Sequence, residues 1–357
     1  MKPEKILYAM NDIDNEFLNE ARENTPAPRH SRKFVALIAA VIALMAITVT
    51  AFAAEEIAGW FRQYFTKQSE IPLTPGQIEF IEENEQVISE TQSHNGYALE
   101  LKSVLADTSA IYITLGITSP EALPIDEEIN LSYDTFDFYD QSHKTPQALS
   151  GRMIDDGDGL DNTADVILEY ILGSWNESDQ WTLSIKELKL WIHDVAYEQD
   201  LLDTKYAGQK NFMLTDEESA LAYRLETLVE GPWKFSIDLS KADSAALEMI
   251  TKPITIQACC GFKPDGTLVY EERTINSLII RPLSAAISAE PTESGAALDL
   301  TPTLDDQIFV VMKDGSRVPL DPDFGMMGTQ HFTAASPIIL DEVDHVLLSD
   351  GTKIMAP

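Results

Sequence analysis

Cysteine is nearly absent: the 357 residues hold two, Cys259 and Cys260, side by side. Neighbours on a strand point to opposite faces, so a bridge between them needs strained geometry, and nothing else exists to build a disulfide framework. Two small side chains packed in or beside a core strand are expected, and no metal site at these thiols. Histidine is scarce too, with six at positions 30, 94, 143, 193, 331 and 345, none at metal-ligand spacing. The chain has no nucleophile elbow, glycine-rich phosphate loop or His-Glu-x-x-His, so neither an enzyme nor a cofactor is expected and no catalytic residue is assigned. Basic residues are few, 25 against 59 acidic ones, for a net charge of −34. A surface that acidic repels nucleic acid and anionic headgroups, which excludes DNA binding by the bulk of the chain.

Acids, in contrast, are so abundant that clusters of them carry little information. Asp155-Asp156-Gly157-Asp158-Gly159-Leu160-Asp161-Asn162 groups oxygens in a glycine-rich loop, which makes Asp156, Asp158 and Asp161 a weak calcium candidate. Leu160 falls at the third oxygen position and no Glu falls at the twelfth, so an exposed acidic loop is the better reading and no metal is assigned. Asp137 and Asp140 are one of many carboxylate pairs, and His193 ends a Trp-containing strand where packing or solvent exposure is expected.

Only one long apolar run exists, Phe34 to Ala54, 21 residues without a charge. At helical rise it matches a hydrocarbon core of roughly 30 Å and reads as a single membrane span. Arg29, Arg32 and Lys33 precede it and Glu55 and Glu56 follow it, which places the amino terminus in the cytoplasm and the rest outside. Residues 1–33 hold six basic and six acidic side chains, so the whole net charge lies beyond the run. Ala51-Phe52-Ala53 also fits the small-x-small pattern of signal peptidase, and cleavage there would release the outer part. The run is longer than a signal core, and a retained anchor is expected.

Inside, Ile6, Met10, Ile13 and Phe17 follow 4-3-4 spacing along one helical face, with acids on much of the other. A lone helix of about twenty residues is marginal in water and has no core to cover that stripe, so it needs a partner, and the four residues are the candidate partner-binding face. Thr25-Pro26-Ala27-Pro28 breaks the helix before the span. Outside, Trp60, Tyr64 and Phe65 with Arg62 and Lys67 read as an interfacial belt, and Thr74-Pro75-Gly76-Gln77 as a capped helix start. The period then changes to two. Strands are expected at Tyr97–Val104, Ala110–Ile117 across a turn at Asp107, Val166–Leu172, Trp181–Ile192 and Trp233–Leu239. After a helical or irregular connector at Lys241–Met249, a second series follows from Ile254 through Thr267–Glu271, Ile275–Ile280, Ile308–Met312 and His345–Leu348. Asp314-Gly315 and Asp350-Gly351 mark hairpins.

The expected organisation is mainly β: a cytoplasmic helix and linker (1–33), a transmembrane helix (34–54), a juxtamembrane helical segment (55–84), and two immunoglobulin-like β-sandwich domains (85–240 and 241–357). The order KILYAMNDIDNEFLNEA, single span, LTPGQIEFIEEN and GYALELKSVLADTSAIYITLGITSPE, with the later EGPWKFSIDL and VDHVLLSDGTKI, resembles the anti-sigma-factor-like membrane proteins of Gram-positive bacteria. That resemblance implies a cell-membrane negative regulator whose inner helix holds an extracytoplasmic-function sigma factor. Its outer β domains would respond to an envelope signal, an extracellular ligand or a protease. The tail departs from zinc-type anti-sigma domains, having no Cys and only His30. The alternative is an anchored or secreted surface binding module whose tail has no regulatory part.

Overall fold

The computed structural model describes residues 59–357 apart from 70, 124, 126–128, 134, 143–144, 147, 155–161, 173–178, 208–213, 251, 263–266, 291–297, 302–305 and 327. The stripe of Ile6, Met10, Ile13 and Phe17, the apolar run 34–54 and the candidate calcium ligands Asp156, Asp158 and Asp161 lie outside the described residues. No helix among the described residues is long and apolar enough to cross a membrane. Glu56–Pro357 form one compact unit, mainly β, with two principal hydrophobic cores.

Helix α1 (Trp60–Ser69) and helix α2 (Pro75–Asn84) come first. The start of α2 follows from its sequence. Thr74 accepts from the Gln77 amide at 3.3 Å while the Gln77 side chain accepts from the Thr74 amide at 2.9 Å, and Pro75 fills a position whose N–H has no helical acceptor.

The first core lies between two antiparallel sheets. One has the order β1 (Gln86–His94), β2 (Tyr97–Ala106), β3 (Ala110–Thr118), β7 (Thr163–Ile171), β6 (Ala148–Ile154). In the other, β9 (Tyr223–Asp238) runs along one edge of β8 (Gln180–His193) from end to end. The opposite edge takes β4 (Ile129–Ser132) and β5 (Phe136–Asp140) in a single continuous register, so these two are halves of one interrupted strand. Inward-facing Leu101, Ile113 and Leu168 meet Leu183, Trp233 and Phe235 across the gap, and the Phe138 and Trp181 rings stack at 4.8 Å. Two short helices, α3 (Val195–Asp203) and α4 (Asp216–Ala222), connect β8 to β9.

The outer face of the first sheet is covered as well. Phe61, Tyr64 and Phe65 of α1 and Ile81 of α2 pack on Leu105, Tyr112, Ile167 and Ile171, and Leu283 joins from the second half of the chain. This corrects the belt reading: Tyr64 and Phe65 are buried against protein and have no face left for a bilayer. It also explains why β3 is buried along almost its whole length, where a single covered face would have produced alternation.

The second core is enclosed by one nine-stranded antiparallel sheet. Its order is β10 (Leu247–Glu248), β12 (Leu268–Ile280), β13 (Ser284–Ala289), β16 (Thr329–Ala334), β15 (Arg317–Met326), β14 (Ile308–Met312), β17 (Val343–Leu347), β18 (Lys353–Met355), with β11 (Ile254–Phe262) also on β12. The two Asp-Gly turns join β14 to β15 and β17 to β18, with Gly315 and Gly351 at φ +87° and +86°. The segments 267–271 and 275–280, expected as two strands, form the single strand β12, and the 241–249 connector is irregular, ending in β10. Cys259 sits buried on β11 with its thiol free.

Side chains of α2 tie the two halves together: Gln77 Nε2 donates to Ser336 Oγ at 3.0 Å and to the Pro337 carbonyl at 2.7 Å. At the end of α2, burial pushes the Glu85 carboxyl up from 4.5 to about 7, and its Oε1 has no hydrogen-bond partner among the described residues. A carboxyl whose pKa rises on folding adds stability below its unfolded value, and that stability is lost as pH climbs toward the folded one. Glu85→Gln is therefore expected to match the natural protein near pH 4.5 and to exceed it by about 2 kcal/mol at pH 8. Urea midpoints across that window check it; a difference independent of pH would contradict the buried carboxyl.

Candidate functional site

The register of the first sheet places Thr91, Glu100, Gly116 and Asp165 in one row across β1, β2, β3 and β7, on the face that α1 partly covers. The next row holds Ala98, Thr118 and Thr163. Gly59, Trp60 and Gln63 at the start of α1 wall off the space beside these rows. The result is a cavity of about 420 Å³, within the size range of small-ligand sites.

Its floor is electrostatically organised. Lys102 Nζ lies 2.7 Å from both Asp165 oxygens, and the pair is largely buried, with side-chain exposures of 16% and 6%. The same ammonium sits 4.4 Å from the centroid of the Trp60 ring, so the lysine is held by a carboxylate and an aromatic face together. Gly116 makes this possible: a Cβ there would lie 2.7 Å from Lys102 Cε and 3.1 Å from Asp165 Oδ1. Glu100, half-buried in the same wall, has a carboxylate with no hydrogen-bond or ion-pair partner among the described residues. After Lys102 neutralises Asp165, Glu100 is the site's uncompensated charge.

Residues 29–119 match a family, Domain of unknown function (DUF4179). The matched stretch contains Trp60, Glu100, Lys102 and Gly116 and ends one residue beyond β3, so Thr163 and Asp165 are supplied by chain outside it. Among solved structures, the conserved domain protein from Bacillus anthracis is similar over 74% of this chain and 76% of that one, at 12% identity and a TM-score of 0.39. S. aureus TarS is similar over 84% of this chain but 54% of that one, at 8% identity and a TM-score of 0.17. Similarities at that level carry no functional argument. No functionally curated protein matches the chain.

The other candidates from sequence have ordinary surroundings. Asp137 pairs with exposed Lys186 at 2.8 Å, whereas Asp140 is buried and accepts from the Ser142 amide at 2.7 Å, so the two do not share a site. His193 Nε2 meets Glu198 Oε2 at 2.5 Å and its ring stacks on Tyr223 at 4.7 Å, a packed histidine. Among the described residues no three His, Cys, Asp or Glu side chains gather as metal ligands do. Apart from Trp60, which the sequence offered as part of an interfacial belt, the pocket residues escaped the sequence reading because their signal is a cross-strand row, and rows appear only once the register of four strands is known.

Proposed function

We propose that this protein is a membrane-anchored, anti-sigma-factor-like regulator: its N-terminal helix captures a cytoplasmic sigma factor, and its outer β part responds to an envelope signal. In this reading residues 34–54 cross the bilayer once, with the N-terminus inside. The observation that carries it is the amphipathic spacing of Ile6, Met10, Ile13 and Phe17 in the sequence, followed by one apolar run and an acidic, mainly β part of some three hundred residues. A single helix transmits small conformational changes poorly, so release by cleavage in or near the span, controlled from outside, fits this layout.

Immunoglobulin-like sandwiches are the fold reading within the proposal. For the first core it is supported by strand order, since β2-β3-β7-β6 facing β5-β8-β9 follows the ABED and CFG sheets of a constant-type domain, with β1 added at the edge. The match of residues 29–119 to a domain of unknown function includes the apolar run and the first three strands and is compatible with the regulatory reading.

Ile13→Asp combined with Phe17→Asp is expected to abolish capture of the sigma factor and to raise sigma-dependent transcription in cells. Transcription unchanged by the double variant removes the proposal. The surface-binding alternative draws on the Trp60 cavity alone and expects deletion of residues 3–23 to spare all function.

A further inference from the structure

We propose that the cavity beside Trp60 receives an alkylammonium group, of the kind carried by a lysine side chain of a peptide. Glu100 supplies the attraction: it is a half-buried carboxylate in a cavity wall, without a partner among the described residues, and such a group gains from a counter-charge that burial makes scarce. Thr91 and Thr118 line it with side chains that can accept a hydrogen bond, and the small Ala98 side chain leaves room beside Glu100 for a slender alkyl chain, whereas the space over Gly116 is taken by Lys102. Trp60 already holds one ammonium, that of Lys102. An anion is poorly served, because Lys102, the sole cation lining the cavity among the described residues, has both Asp165 oxygens within 2.7 Å. The net charge of −34 adds a field that concentrates cations at this surface.

This deepens the proposed function and rests on it only for its consequence. Gly59, Trp60 and Gln63 begin the first helix a few residues after the apolar run, so a ligand lodged against them touches the fold at the point where the chain leaves the span.

The test uses the full-length protein in neutral detergent and two probes, N-acetyl-lysine methylamide and N-acetyl-norleucine methylamide, which share a carbon chain and differ in the charge. Calorimetric titration is expected to show saturable binding of the lysine compound, weaker at high salt, and about tenfold weaker binding of the norleucine compound. Glu100→Gln should lower affinity for the lysine compound about tenfold without moving the unfolding midpoint, and Glu100→Lys, which brings its own ammonium, should abolish binding. Equal binding of the two probes, no saturable binding of the lysine compound, or undiminished affinity in Glu100→Gln overturns the proposal. If the lysine compound binds as expected while Ile13→Asp with Phe17→Asp leaves transcription unchanged, the regulatory reading fails and the ammonium site stands; the reverse pair of results separates them the other way.

Discussion

Replacing Asp107 by alanine is expected to cost about 3–5 kcal/mol of stability, and to do so by loosening the two cores from each other. Asp107 is fully buried, and its carboxylate is held from both sides. From its own turn it accepts from the Ser109 amide at 2.6 Å and the Ala110 amide at 2.8 Å. From the second half of the chain it accepts from the Leu283 amide and the Ser284 hydroxyl, each at 2.9 Å. Around it, Arg281 Nε donates to Thr108 Oγ1 at 2.9 Å, and backbone bonds link Thr108 and Ala106 to Asp243. Burial pushes its carboxyl up, opposed by these four donors, so the group is costly to bury and still more costly to remove. Alanine leaves three backbone N–H groups without an acceptor, each worth roughly 1–3 kcal/mol, partly relieved where water enters. The Asp107→Asn variant keeps the shape but turns an NH₂ toward a donor, so it should recover little. Denaturant titration measures the loss; a cost below about 1 kcal/mol for Asp107→Ala would show that apolar contacts alone hold the joint.

Phe65→Ala should cost about 3–4 kcal/mol, within the range for removing a fully buried aromatic side chain. Its ring lies 5.3 Å from that of Tyr112 and 5.1 Å from that of Tyr64, both edge-on, and the Tyr64 hydroxyl donates to Glu169 Oε2 at 3.3 Å inside the same cluster. A ten-residue helix has too little propensity to persist once its packing is weakened, so the effect should concentrate in α1. Hydrogen exchange at residues 60–69 is expected to quicken more than the rest of the first core, and binding at the cavity should weaken with it, because Trp60 and Gln63 form its wall. If Phe65→Ala leaves both the unfolding midpoint and exchange in α1 unchanged, these aromatics belong at a membrane surface after all.

Local chemistry was legible in the sequence wherever a few neighbouring residues decide the outcome. The capping box at Thr74 and Gln77, the two Asp-Gly hairpins, the mainly β character and the strands at 110–117, 166–172 and 181–192 all follow from side chains within one or two turns of each other. Strands with weak patterns were not legible. β1 and β6 lack alternating apolar residues, and β9 begins at Tyr223, ten residues before the apolar series at Trp233 announces it. Asp107 was legible only as part of a turn, because a turn sequence is the same whether the turn faces water or another part of the chain.

The candidate site divides along the same line. Trp60 was visible as an aromatic beside the apolar run, but its role depends on α1 lying across the first sheet, and that depends on Tyr112, Ile167 and Ile171 offering it a second apolar face. Glu100, Gly116 and Asp165 are far apart in the chain and meet only through the register of β2, β3 and β7. By itself the sequence determined the acidic charge of the chain beyond the apolar run, the single apolar run, the amphipathic stripe before it and the β character after it, because each is a property of composition or of short-range period. Only the tertiary structure decided which carboxylates are paired, which is left over, and that the aromatics after the run pack inward, because those outcomes rest on strand register and burial across long sequence separations.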